Sequence, residues 1–223
     1  MCVLLILDFQ SLLIYLAVEN NIIVFDFDKT LTYNDTLFGF FIHSCKTNIL
    51  FPFKVTFYFA IMILAKINLI SNYKLKQLGI LIFLKDQSPS FVSRLSDSYK
   101  RKIKFNKLFY QYNFNQSQKL YVVTASFEEY IQNIFPTTVT IVGSQIQYKS
   151  EVVSGLKFNC YNNNKIDALA KAGVFKIKEL YTDSYSDFPL ANISDKIVIV
   201  SGDNLHVCNN IKEFNTYFGK SNS

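Results

Sequence analysis

Ile22-Ile23-Val24-Phe25-Asp26-Phe27-Asp28-Lys29-Thr30-Leu31-Thr32 is the stretch on which the fold turns. Four apolar residues, three of them β-branched, run straight into two carboxylates separated by one residue, then into threonines. A short, wholly apolar, β-branched run bounded by turn-prone polar residues reads as a strand buried on both faces of a parallel sheet. In open α/β sheets, residues just past the carboxyl end of a strand line the ligand crevice. Two carboxylates there can bind a cation and still supply a nucleophile and a proton donor.

Working outward, the chain alternates strands and helices. Lys119 to Thr124 reads as a second strand, followed by a helix carrying Glu128 and Glu129. Thr138 to Val142 reads as a third strand, with a small hairpin from Gln145–Tyr148 and Glu151–Leu156. Lys165 to Gly173 is a helix with a glycine stop, Glu179 to Thr182 a fourth strand, and Lys196 to Val200 a fifth. Such alternation argues for a doubly wound parallel sheet. Leu37 to Leu84 breaks the pattern: it is strongly apolar, has few alternating stretches, and reads as helices. Ser90 to Lys107 reads as one basic amphipathic helix.

Composition narrows the function classes. The 223 residues suffice for one large domain, or for a core with an inserted second one. Cys2, Cys45, Cys160 and Cys208 form no CxxC pair or His/Cys cluster. A zinc site or disulfide framework is therefore disfavoured, and free thiols in a reducing cytoplasm fit better. Only His43 and His206 are available to a histidine-based triad, and ordinary polar roles suit both. The +6 net charge is uneven: between Thr36 and Tyr110 twelve basic residues face only Asp86 and Asp97. A basic module in an acidic frame suits anionic partners, such as phosphorylated substrates or lipid headgroups, or is simply a solvated face. Nucleic acid is not expected as a partner, because the basic residues fall on apolar helices and not among aromatics on a sheet or groove.

Two segments bear on membranes. Val55 to Ala65 is uncharged between Lys54 and Lys66, which is too short for the roughly 20 residues a bilayer span requires. It reads either as a buried helix or as one lying in the membrane interface, aided by its lysines. Residues 1–19 are apolar but interrupted by Asp8, Gln10 and Ser11 and lack a positive start. An extra helix and an extension upstream of the true start both fit that segment.

Three apolar strands thus end in complementary polar residues: Asp26 and Asp28, then Thr124, then Asp183 with Asp187 four residues on. Each alone has an ordinary structural explanation in a turn or helix cap. Together, at one edge of a parallel sheet, they can converge. In this order they resemble the haloacid-dehalogenase superfamily of phosphohydrolases, over Ile22 to about Asp203. Asp26-Phe27-Asp28-Lys29-Thr30-Leu31-Thr32 is similar to its first motif and Val122-Val123-Thr124-Ala125-Ser126 to its second. Lys165 is similar to its lone third-motif lysine, and Asp183-Ser184-Tyr185-Ser186-Asp187 to its acidic fourth motif.

The resemblance implies an α/β fold: a Rossmann-like doubly wound parallel sheet formed by residues 20–35 and 111–223. An inserted helical C1-type cap would span 36–110, and residues 1–19 would be an apolar N-terminal extension. The stretch from Ile141 to Lys165 is similar to the phosphoserine-phosphatase-like branch. The implied chemistry is hydrolysis of a phosphate monoester with Mg²⁺. Asp26 would be the nucleophile, and Asp28 the acid and then the base. Thr30, Thr124, Ala125 and Lys165 would hold the phosphoryl oxygens. Asp26, Asp28 (through its carbonyl), Asp183 and Asp187 would serve the metal.

The Asp28-Lys29-Thr30 triplet also invites alignment with ion-pumping ATPases of the superfamily. Thr30-Leu31-Thr32 sets the register against it and places the nucleophile on Asp26. Lys29 stands where a small residue is common, and Thr182 where a glycine commonly precedes the fourth motif. Lys29 and Asp35 are candidate substrate-reading residues; helix capping is the preferred role for Asp35. Asp35-Thr36-Leu37 and the apolar cap further resemble phosphatidylglycerophosphate phosphatases, which implies a lipid or other amphiphilic phosphate at an anionic membrane surface. The alternatives are a small-metabolite phosphatase and a non-catalytic membrane-surface adaptor; the adaptor predicts loss of a reacting group, and none is lost.

Overall fold

The computed structural model describes residues 21–45, 49–115 and 118–220. The apolar stretch at 1–19 lies outside them. Ile22–Phe25 forms strand β1, buried at every position. It lies inside a seven-stranded sheet of order β4-β3-β2-β1-β5-β6-β7. The others are β2 (Lys119–Phe127), β3 (Val139–Lys149), β4 (Val152–Phe158), β5 (Ile177–Thr182), β6 (Ser194–Ser201) and β7 (Asn204–Cys208). β1 pairs in parallel with both β2 and β5, so all three carboxyl ends share one edge. β3 and β6 extend the parallel set, and antiparallel β4 and β7 close its two margins.

Alternation along β1 divides the core. Ile23 and Phe25 face one apolar layer, and Ile22 and Val24 face the other. The second layer is completed by helices later in the chain, among them one at Asn163–Lys171 and one at Ile211–Tyr217. The first layer receives the insertion between β1 and β2. That insertion holds α1 (Leu37–Ser44), α2 (Phe51–Lys66), α3 (Asn72–Phe83), α4 (Pro89–Tyr99) and α5 (Lys107–Gln111). Its buried rings are continuous with those of the sheet: Phe41 packs at ring-centroid distances of 5.4 Å on Phe83 and 5.8 Å on Phe127. Where the chain leaves and re-enters, the two linkers pair antiparallel. Tyr33 N–H donates to the Lys104 carbonyl at 3.0 Å and Asn106 N–H to that of Leu31 at 3.1 Å.

Several elements differ from the sequence reading. The third strand and the first arm of the hairpin are one strand, β3, because it leaves β2 and pairs with β4 farther along. The second strand does not stop at Thr124 but runs to Phe127 through a register shift. β7 has no forecast: its outer face is exposed and its pattern weak. The basic helix from Ser90 ends at Tyr99, continues as a 3₁₀ turn over Lys100–Lys102, and is extended by Ile103. Helix α2 is not a buried helix. Tyr58 and Ile61 are its buried residues, while Phe53, Phe57, Phe59 and Ile63 are exposed. Among the described residues no helix is long and apolar enough to cross a membrane.

Candidate active site

The parallel register delivers the acidic residues. Asp26 is the first residue beyond β1, and its N–H donates to the Tyr181 carbonyl at 2.9 Å, prolonging the ladder with β5 by one step. Thr182 ends β5, so Asp183 stands beside it on the same edge. Lys165 enters from the first turn of α6 (Asn163–Lys171). Its Nζ lies 2.7 Å from Asp26 Oδ1 and 2.6 Å from Asp187 Oδ1. The Thr182 hydroxyl donates to Asp187 Oδ2 at 2.8 Å, and the Thr30 hydroxyl to Asp26 Oδ2 at 3.4 Å. The structure therefore brings Asp26, Thr30, Lys165 and Asp187 into one buried cluster.

Thr124 lies where β2 bulges against β3. Val123 pairs with Val142, yet Phe127 already pairs with Ser144, which leaves Thr124-Ala125-Ser126 as a bulge within β2. Gly143 opposite makes room for it; a Cβ there would come within 2.9 Å of the Ser126 carbonyl and of the Glu128 side chain. The Ser126 N–H donates to Thr124 Oγ1 at 3.0 Å, which leaves the threonine's own proton free to donate elsewhere.

Asp28 is held apart from that cluster. Thr36 donates to its Oδ1 twice, from N–H at 2.7 Å and from the hydroxyl at 2.6 Å. The Ser126 hydroxyl donates to its Oδ2 at 2.5 Å. The Tyr130 hydroxyl, 2.8 Å from Thr36 Oγ1, extends the network. Ser126 closes the second-motif stretch and Thr36 stands in Asp35-Thr36-Leu37, but nothing in the sequence marks either of them, or Tyr130, as part of a network around Asp28. Lys76 was also missed, although it had a signal: it lies on the same helical face as the buried Ile80 and Phe83, a charge in an apolar stripe.

Burial and like charge act in one direction on the carboxyls. Burial pushes Asp26 up, Lys165 draws it down, and Asp187 and Asp183 push it up again, with a net rise. Burial raises Asp28 to about 6, with Asp35 adding to the rise and the Ser126 and Thr36 hydrogen bonds opposing it. Burial and then Asp187 raise Asp183 to about 6, against the pull of Lys29. For Lys165, burial works against the charge, but Asp187 and Asp26 outweigh it and keep the ammonium protonated. A carboxyl raised to about 6 against an unfolded value of about 3.9 stabilises the fold below the unfolded value and loses that contribution as pH rises through 6. The melting temperature of the metal-free protein should therefore fall between about pH 4 and pH 7. Asp183→Asn should make that fall shallower, as a thermal-melt series over pH would show.

Carboxylates in excess of cations suit a hard divalent ion: Lys165 alone bridges Asp26 and Asp187, with Asp183 near both. The donor set is oxygen only, as Mg²⁺ prefers. Among the described residues, however, no three acidic, histidine or cysteine side chains form a ready-made metal cluster. In this structure Asp187 grips Lys165, so its direct contact is with the lysine.

The two candidate substrate readers diverge. Asp35 Oδ1 accepts the Leu37 N–H at 3.1 Å, a capping contact at the start of α1. Lys29 has φ +58°, the left-handed region that favours glycine and explains why a small residue suits this position. Its ammonium lies close enough to lower the Asp183 carboxyl. Lys29→Gly should stabilise the fold by about 1 kcal/mol through relief of backbone strain; an unchanged or lower denaturation midpoint would contradict that. The site is closed over: Thr30 and Thr124 are fully buried and Asp26 is 7% exposed.

Three comparisons bear on this arrangement. A family model described as haloacid dehalogenase-like hydrolase matches residues 23–192. Comparison with curated proteins gave no match. Among solved structures, a protein of unknown function from Bordetella pertussis Tohama I superposes with a TM-score of 0.68 at 14% identity, covering 90% of this chain and 96% of that one. A phosphoserine phosphohydrolase-like protein from Francisella tularensis gives 0.56 at 20% identity, covering 79% and 85%. A substrate-bound phosphoserine phosphatase gives 0.58 at 14% identity, covering 89% and 98%. At these identities the structural likeness establishes the fold, and the family match spans most of the sheet and all of the helical insertion. With its acidic strand ends, bridging lysine and matched length, the chain belongs to the haloacid dehalogenase-like hydrolases.

Proposed function

We propose that the protein is a Mg²⁺-dependent phosphatase that hydrolyses a phosphate monoester through an aspartyl-phosphate on Asp26. The observation that carries this reading is the pairing of two unlike carboxylates two residues apart. Asp26 is tied to a cation, Lys165, at 2.7 Å, and Asp28 is raised to about 6 within a hydroxyl network. Two carboxyls whose surroundings set them apart can divide the labour of nucleophile and proton carrier. The phosphoserine phosphatase likeness supports the same reaction class.

In this mechanism Asp26 Oδ2, which among the described residues bears only the long Thr30 contact, attacks phosphorus. Asp28, whose carboxyl is raised to about 6 and so keeps a protonated fraction near neutral pH, protonates the departing oxygen and then takes a proton from the attacking water. The Thr124 hydroxyl and the Lys165 ammonium hold the phosphoryl oxygens, with the Ala125 N–H and Thr30 beside them. Asp26, the Asp28 carbonyl and Asp183 would hold Mg²⁺, with Asp187 in support. When bound, the ion neutralises phosphate charge and orients the ester for in-line displacement. Residues 36–110 act as a cap that must lift to admit substrate.

The substrate proposed is an amphiphilic phosphate. Beside α2 and α3 lies a groove of about 770 Å³, lined by Phe59, Met62, Ile63, Ile70 and Leu75. It reaches Tyr161, four residues before Lys165. The groove and the exposed aromatic residues of α2 suit an acyl chain better than a small amino acid. A phosphate-release panel of lipid, sugar and amino-acid phosphates, with and without Mg²⁺, tests the function. The expected result is Mg²⁺-dependent release, highest on the lipid phosphate. Release from none sinks the enzyme reading, and preference for serine phosphate would replace the amphiphile with a small metabolite. Flotation with anionic vesicles tests the membrane contact, and absence of binding removes it.

A further inference from the structure

Lys76 is the one charged residue of α3 that points inward, and it is 1% exposed. Its ammonium has three protons and finds three oxygens. These are the Ala125 carbonyl at 2.5 Å, Asn159 Oδ1 at 2.6 Å and Ser144 Oγ at 3.1 Å. All three acceptors are neutral. No acidic side chain among the described residues forms an ion pair with it, and burial pushes it down to about 7. A buried ammonium without a counter-ion is a poor stability device, because an apolar side chain of like volume removes the desolvation cost. What the lysine holds suggests its purpose.

We propose that Lys76 is a positioning residue that couples seating of the helical insertion to the geometry of the bulge that carries Thr124. The Ala125 carbonyl belongs to the same peptide as the Ser126 N–H, which donates to Thr124 Oγ1. Fixing that peptide aims the threonine hydroxyl. It also fixes Ser126, whose hydroxyl holds Asp28 Oδ2. The second acceptor reaches the other phosphate-binding group: the Asn159 carbonyl accepts from Asn164 Nδ2 at 2.8 Å, one residue before Lys165. A single side chain of the insertion thus ties together the segments that deliver Thr124, Asp28 and Lys165. Ser144 reinforces the knot by donating to the Ala125 carbonyl at 2.7 Å. Hydrogen bonds linked in this way polarise and stiffen one another. With the insertion lifted the bulge loses its clamp; with it seated the bulge is set for chemistry.

This inference rests on the phosphatase reading, so the experiment has two independent arms. In the first, the full chain hydrolyses para-nitrophenyl phosphate with Mg²⁺, and wild type is compared with Lys76→Met and Lys76→Arg. Methionine keeps the volume and removes the donors. We expect kcat to fall by about 30- to 100-fold with KM little changed, since small displacements of positioned groups cost that much. Arginine should restore part of the rate, and the methionine variant should melt no lower than wild type. Retention of kcat within about twofold overturns the proposal, because misplaced groups cost far more. A methionine variant that melts well below wild type, or does not fold, makes Lys76 a structural clamp and overturns it equally.

The second arm needs no turnover. Amide hydrogen exchange at residues 124–127 should quicken in Lys76→Met and not in Lys76→Arg, and unchanged exchange in the methionine variant overturns the proposal. Absence of wild-type turnover would count against the phosphatase reading alone, with exchange still deciding the role of Lys76.

Discussion

Asp26→Asn is expected to lower kcat by at least ~10⁴-fold while leaving the melting temperature close to that of the wild type. The two halves of that expectation have separate causes. An amide has the shape of the carboxylate but no anionic oxygen to form the phosphoryl bond, so the covalent route closes. The fold should tolerate the change because Lys165 keeps its other partner, Asp187, at 2.6 Å. Asp26 is moreover pushed toward its neutral form by burial and by Asp187 and Asp183, so neutralising it removes repulsion along with attraction. Phosphate release and a thermal melt on the same preparation check both halves. A variant that keeps a tenth of the activity would remove Asp26 from the reaction.

Lys165→Met should be damaging in both respects. It leaves two buried carboxylates without their cation, and breaking a buried pair from one side costs about 3–5 kcal/mol. Part of that cost is relieved if Asp26 takes up a proton, so the destabilisation should be larger at pH 8 than at pH 5. Adding Asp187→Asn to Lys165→Met should return part of the stability, because one of the two stranded carboxylates is then gone and its repulsion of Asp26 with it. Activity should stay lost in both variants, since nothing replaces the positive charge facing the phosphoryl oxygens. Denaturant titrations of the two single variants and the double variant measure the coupling. Simple additivity would contradict the bridge seen at 2.7 and 2.6 Å.

The parts of the molecule legible from sequence were those governed by short-range pattern. Ile22 to Phe25 announces a central strand because both of its faces are buried, so no polar residue interrupts it. The approach of the acidic residues follows once the strands are parallel, since Asp26 and Asp183 are each one step beyond a strand end. What stayed hidden depends on contacts between distant segments. Thr36 and Ser126 meet Asp28 from 8 and 98 residues away, and no local spacing encodes such a pairing. Strand β7 was missed because an exposed margin strand carries little hydrophobic pattern. The bulge at Thr124 to Ser126 hid the true end of β2, and Gly143, which permits it, lies on another strand.

Helix α2 shows the reverse, a strong pattern with two meanings. Apolarity all round one helix reads as burial in a soluble protein, yet Phe53 and Phe57 are 75% and 61% exposed. The hydrophobic signal was sound, but its direction depends on which face the rest of the insertion covers. Asp35 is a simpler case of the same kind: its contact with the Leu37 N–H gives the residue a local role, as expected for an acidic residue just ahead of a helix.

The measurement that tests the central claim most directly is the site of phosphorylation during turnover. The wild-type protein, mixed with a hydrolysed ester and Mg²⁺ and quenched in acid within a few milliseconds, should carry one phosphoryl group. Peptide mass spectrometry should place that group on Asp26, and on para-nitrophenyl phosphate, whose leaving group departs without a proton, Asp28→Asn should raise its occupancy by slowing attack of water. A phosphoryl group on another residue, or none on an enzyme that is turning over, would contradict the account.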